Sequence, residues 1–250
     1  MLERMVDIER PDGKLNVYAY CPDEGGPFPV VLLYMDASGV REALAKLCRR
    51  LASAGYYVLM PNLYYRRVRH FDLGADRLGD PAYGETAALM WSLNGHLTNT
   101  MVMEDTQALL DFLKGEKHAR SGSIGALGYC MSGPFVYRAA AMFPDRIAAT
   151  VAMYGSPLIS DAPDSAHLST ASIKGEIYFG FAQHEQYFST NDTVQKLQQC
   201  FDGTGIRHRF EIYEGREHGF VLQRRRVYHQ NSSERHWVRV HDIFRRNLQS

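Results

Sequence analysis

Six residues, Gly128-Tyr129-Cys130-Met131-Ser132-Gly133, join an apolar run suited to a strand, Ser123 to Tyr129, to an apolar run suited to a helix, Met131 to Phe143. A chain that turns so abruptly from strand to helix strains the backbone of the apex residue, and small neighbours must relieve the crowding. Gly128 supplies one of them, two residues before the apex. Ala139, Ala140 and Ala141 let the following helix approach a sheet closely. Beyond the apex, Ser132 stands where such a turn usually has a second glycine, and Gly133 follows one position later. The apex is Cys130. A free cysteine is most often a small hydrophobe in a core, whereas its thiolate is a nucleophile. A base and an acid elsewhere in the chain decide between the two readings.

The rest of the chain repeats the strand-then-helix alternation. Strand-like apolar runs at 30–34, 57–60, 123–129, 147–153, 175–182 and 208–213 are separated by helical patterns at 41–53, 100–113, 131–143, 190–201 and 233–248. Near-continuous apolar strands alternating with helices predict an α/β fold with a mostly parallel central sheet and helices on both faces. Pro11-Asp12-Gly13, between Asp7–Arg10 and Lys14–Tyr20, predicts an opening hairpin, since proline presets one backbone angle and glycine permits a positive one. The stretch from Arg66 to Leu97, with Gly74, Gly79, Pro81 and Gly84, is the least regular and reads as a cap or pocket wall. No repeat, low-complexity tract or linker interrupts the chain. Its 250 residues, 45% hydrophobic and 22% charged, suffice for one large core, so a single domain over 1–250 is expected.

Parallel sheets gather their chemistry at the carboxyl ends of the strands. His218 stands just past the 208–213 run, flanked by Gly215 and Gly219, and is the best-placed base for Cys130. Glu185 is the carboxylate nearest the end of the 175–182 run and would orient the imidazole. Asp192 is the alternative acid, although Ser189-Thr190-Asn191-Asp192 reads as a helix start. Nucleophile, acid and base in that chain order are the order used by α/β-hydrolases.

On these residues the chain resembles the dienelactone hydrolase (carboxymethylenebutenolidase-like) family, the branch of the α/β-hydrolases that uses cysteine in place of serine. The most specific pieces are Gly128-Tyr129-Cys130 and His218-Gly219-Phe220, and the resemblance runs from the Val30–Asp36 segment to the helix containing Arg235-His236-Trp237. It implies an α/β-hydrolase fold, a thiol-positioning role for Asp36 and an oxyanion hole from the Ala37 and Met131 amides. Asp36 is one methylene shorter than the family's glutamate, and it also suits a helix cap. Family members hold a substrate carboxylate with arginines. Here Arg66 and Arg67, just after a strand, are the candidates. No arginine occurs in 80–85, and Arg224-Arg225-Arg226 reads as a solvated face.

Other chemistries fit poorly. Gly128 to Gly133 is followed by Pro134 rather than the lysine of a phosphate-binding loop, and no Gly-x-Gly-x-x-Gly follows the first strand. A formal net charge of zero offers no field for nucleic acid. Cys21, Cys48, Cys130 and Cys200 are too far apart for a zinc or dithiol motif, so no metal or cofactor is expected and a reducing cytoplasm is the simplest home. No apolar run approaches the roughly 20 residues needed to cross a bilayer. The expected function is hydrolysis of a small-molecule ester or lactone through an acyl-enzyme. Two alternatives are a thioesterase or general carboxylesterase on the same residues, and a non-catalytic binding protein of the same fold.

Overall fold

A computed structural model describes residues 1–74 and 81–249, and the chain forms two compact units, Met1–Gly122 and Ser123–Ser250. In the first unit, β1 (Leu2–Arg10) and β2 (Gly13–Cys21) pair antiparallel with Arg10 opposite Gly13. The hairpin is the expected one, and Gly13 takes a φ of 143°, open to glycine. After β3 (Phe28–Tyr34) come α1 (Glu42–Ser53) and β4 (Tyr57–Pro61). The four strands lie in the order β1-β2-β4-β3, with β3 and β4 parallel. Helix α1 places Leu44, Leu47, Cys48 and Leu51 on one buried face at helical spacing. Burying a leucine this way stabilises the fold by roughly 1.5–3 kcal/mol.

The Arg66 to Leu97 stretch departs from its irregular reading, because Gly84–His96 is a helix, α2, followed by α3 (Asn99–Leu113). Helix α2 buries only Met90 and Leu93 and leaves Leu89 and Trp91 each 45% exposed, so it carries no amphipathic period for a sequence reading to detect. Residues 75–80 of the same stretch lie outside the described residues.

In the second unit, β5 (Ala119–Tyr129, most of it past the boundary), β6 (Ile147–Met153), β7 (Glu176–His184) and β8 (His208–Glu217) lie side by side in chain order, all parallel. Between and after them come α4 (Gly133–Met142), α5 (Thr190–Phe201) and α6 (Gln230–Leu248). Two glycines of β5 show that helices cover both faces. A Cβ on Gly125 would meet Phe244 and Leu248 of α6, whereas one on Gly128 would meet Val136 of α4. Residues an odd number apart in a strand point to opposite faces, so α4 and α6 lie on opposite sides. Among the described residues, no helix is long and apolar enough to cross a membrane.

Candidate active site

Cys130 leaves the end of β5 with a φ of 56°, one of three non-glycine residues in the left-handed region among those described. That is the strain expected at the apex of a strand-to-helix turn. The crowding is visible around it. A Cβ on Gly128 would lie 2.5 Å from the Ser132 carbonyl oxygen, and one on Gly133 would lie 2.3 Å from the Cα of Gly155. The second glycine is therefore needed at 133, where the start of α4 meets the chain leaving β6. The Cys130 carbonyl accepts from the amides of Gly133 and Ser156, the latter at 3.1 Å, which ties the turn to that same segment. Pro134 sits in the first turn of α4, where no amide is lost. Cys130 is part-exposed, whereas Cys21 and Cys48 are buried. Burial pushes the thiols of Cys21, Cys48 and Cys200 up from their ordinary value.

The parallel register brings Glu185, the candidate acid, to His218, the candidate base. His184 of β7 is paired with Glu217 of β8, so the next residue on each strand, Glu185 and His218, leaves the sheet at the same place. There Glu185 Oε2 stands 2.7 Å from His218 Nδ1. A carboxylate only accepts, so Nδ1 carries the hydrogen and Nε2 is the nitrogen left to take a proton. The side chains are 0% and 5% exposed respectively. Burial alone pulls the imidazole pKa down, but the neighbouring Cys130 sulfur and the Glu185 carboxylate overcome it and raise it to about 10. Asp192, the alternative acid, is exposed in the first turn of α5, where its amide donates to the Ser189 hydroxyl.

Two tyrosines flank the imidazole. Tyr154, the residue after β6, meets it edge-on with centroids 4.8 Å apart, and Tyr187 does so at 5.0 Å. Neither was singled out in the sequence. The available signals were the position of Tyr154 directly past a parallel strand and of Tyr187 two residues past Glu185.

The remaining candidates have different surroundings. Met131 is 4% exposed within the single turn Cys130–Ser132 that precedes α4. In the first unit, Asp36 pairs with the guanidinium of Arg41, at 2.8 Å for one of its two contacts, and accepts from the Ser38 amide at 3.2 Å. It does not cap α1, whose N-cap residue is Arg41. The Ala37 carbonyl accepts from the Tyr64 hydroxyl at 2.9 Å. Arg66 is held on both sides: it grips Asp105 with two nitrogens at 2.7 and 2.9 Å and also pairs with Asp12. Two carboxylates neutralise it, which leaves no unmatched charge for an anionic ligand. Arg67 is exposed, 3.4 Å from a ring nitrogen of His96. Of the arginine run, Arg226 pairs with Glu217 at 3.2 Å, while Arg225 lies over Gly219.

Comparison with known proteins agrees with this architecture. The model of the dienelactone hydrolase family matches residues 15–248. The chain is 28% identical over 245 residues to a protein of Methylorubrum extorquens provisionally named carboxymethylenebutenolidase, covering 96% of this chain and 79% of that one. A protein of the same provisional name from Synechocystis is 24% identical, with 95% of each chain covered. Among solved structures, a provisionally named dienelactone hydrolase of Klebsiella pneumoniae superposes with a TM-score of 0.84 at 21% identity, covering 97% of this chain and 98% of that one. This likeness supports the α/β-hydrolase fold.

Proposed function

We propose the following chemistry for this chain, which belongs to the dienelactone hydrolase family of hydrolases: it cleaves a carboxylic ester or lactone through an acyl-enzyme on Cys130. The observation that carries the reading is the left-handed φ of Cys130 on a turn whose neighbour in space is a buried Glu185–His218 pair. With its pKa raised to about 10, the imidazole already holds the Cys130 proton on Nε2 at neutral pH, and the thiolate sulfur attacks the substrate carbonyl carbon. The carbonyl oxygen becomes an oxyanion, for which the Met131 amide, just past the nucleophile, is the proposed donor. As the carbon–oxygen bond breaks, the imidazolium returns its proton to the leaving oxygen. In a lactone that oxygen stays tethered to the acyl group. Water then attacks the thioester, giving one proton to His218, and the thiolate is restored as the acid departs. Glu185 holds the ring through Nδ1 and stabilises the imidazolium, both at rest and when it forms again during deacylation.

The names of the relatives point to unsaturated lactones as the first substrates to try. Aryl esters, thioesters and unsaturated lactones, assayed with wild type, Cys130→Ala and Glu185→Gln, test the reading. Turnover is expected to vanish in Cys130→Ala, and kcat is expected to fall by about 10²-fold or more in Glu185→Gln, as when an amide holds the wrong imidazole tautomer. Hydrolysis at the wild-type rate by Cys130→Ala would end the proposal.

A further inference from the structure

We propose that Tyr187 is a positioning residue for His218, the outer jaw of an aromatic clamp whose inner jaw is Tyr154; the proposal rests on the reading of Cys130, Glu185 and His218 as the reacting groups. One hydrogen bond to Glu185 fixes Nδ1 but leaves the imidazole able to pivot about that contact. Any pivot moves Nε2 relative to Cys130, and small misplacements of reacting atoms cost orders of magnitude in rate. Edge-on rings at 60° and 85° to the imidazole remove that freedom, because aromatic pairs favour edge-to-face geometry at these separations.

The two jaws are built differently. Tyr154 is 1% exposed, has a φ of 38°, and its amide donates to the Gly180 carbonyl at 2.6 Å, so it is fixed by the sheet. Its ring also packs on Phe220 and Tyr129. Tyr187 is 40% exposed and rides the loop between the end of β7 and Ser189, the N-cap of α5. The same loop carries Glu185, so one short segment delivers both the acid and the outer jaw. Burial first, and then the charge of Cys130, push the Tyr187 hydroxyl up from its ordinary value, with Arg225 and Glu185 also acting on it. The ring therefore shares the electrostatic surroundings of the thiol as well as touching the base.

A positioning role separates from a substrate-binding role in the kinetics, and from a merely structural one in a spectrum of His218. Tyr187→Leu and Tyr187→Phe are assayed with an aryl ester, and the Nδ1 proton resonance of His218 is recorded in each full-length protein. In Tyr187→Leu, kcat is expected to fall about 10-fold with KM changed by less than about twofold, and the Nδ1 proton resonance to broaden as the ring gains freedom. Tyr187→Phe, which keeps the ring, is expected to restore both. Wild-type kcat and a sharp resonance in Tyr187→Leu would overturn the proposal, as would a raised KM at unchanged kcat or a failure of Tyr187→Phe to restore them. Should Tyr187→Leu not fold, Tyr187→Met carries the same comparison. Cys130→Ala with undiminished hydrolysis would end the nucleophile assignment, whereas the His218 resonance decides the clamp whichever way that result falls.

Discussion

Replacing Cys130 with alanine should move the titration of a different residue, His218. The imidazole is raised from 6.5 to about 10 although burial, the largest single influence, pulls it down. The upward influences must therefore exceed the 3.5 pH units between those values. The neighbouring Cys130 sulfur is the foremost of them, and the Glu185 carboxylate comes next. The sulfur is therefore the leading upward influence, and Cys130→Ala should lower the midpoint. The wild-type midpoint belongs to the coupled pair, while the variant reports the imidazole with Glu185 alone. Following the His218 ring protons by NMR between pH 5 and about 11 measures both midpoints. A midpoint that stays near 10 in Cys130→Ala would show that the sulfur does not act on the ring, and the proton transfer proposed above would lose its basis.

Three further outcomes are expected. Iodoacetamide should label part-exposed Cys130 ahead of Cys21, Cys48 and Cys200, whose thiols burial pushes up, and peptide mapping of the labelled protein checks this. Gly128→Ala places a Cβ 2.5 Å from the Ser132 carbonyl oxygen and 2.9 Å from Val136 Cγ1, so denaturant unfolding should show a loss of about 1–3 kcal/mol, with hydrolysis impaired as the turn shifts. Glu211 is held below the usual carboxylate range because Arg239, Arg209 and Arg235 outweigh its burial. A lowered carboxylate stabilises the fold above its unfolded value of about 4.5 and ceases to do so as pH falls through its folded value, so the Tm gap between wild type and Glu211→Gln should narrow below that pH.

The residues that a sequence reading could reach are those whose placement follows from chain order. Cys130, Glu185 and His218 each come straight after a strand-like run, and parallel strands end on one edge, so three separate stretches converge without any knowledge of side-chain packing. The two tyrosines around His218 were beyond that reasoning. An aromatic residue next to an apolar run reads as core, and only the geometry of the chain leaving β6 and β7 turns Tyr154 and Tyr187 toward the imidazole. Asp36 shows the same limit from the other side. Its partner Arg41 is five residues on along an irregular segment, with no helical or strand period to bring the two together. Arg66 stood correctly after a strand, but charge counting could not say that Asp12 and Asp105 both reach it.

The displaced glycine of the turn is the clearest case in which a motif is a packing rule rather than a spelling. What presses on Gly128 is the Ser132 carbonyl, a backbone atom present whatever side chain residue 132 carries, and that side chain is itself accommodated in the interior at 0% exposure. A glycine is demanded at 133, because the first turn of α4 there runs against Gly155, and a Cβ on either glycine would lie within 2.7 Å of the other's Cα. Gly155 follows Tyr154, so the contact that lets α4 begin at Gly133, one turn past Cys130, also sets the path of the segment bearing the inner aromatic jaw. The Ser156 amide bonded to the Cys130 carbonyl closes the same loop of constraints. The strain at the apex and the placement of the ring beside His218 are thus two consequences of a single close approach, and a glycine two positions past the apex would have relieved neither.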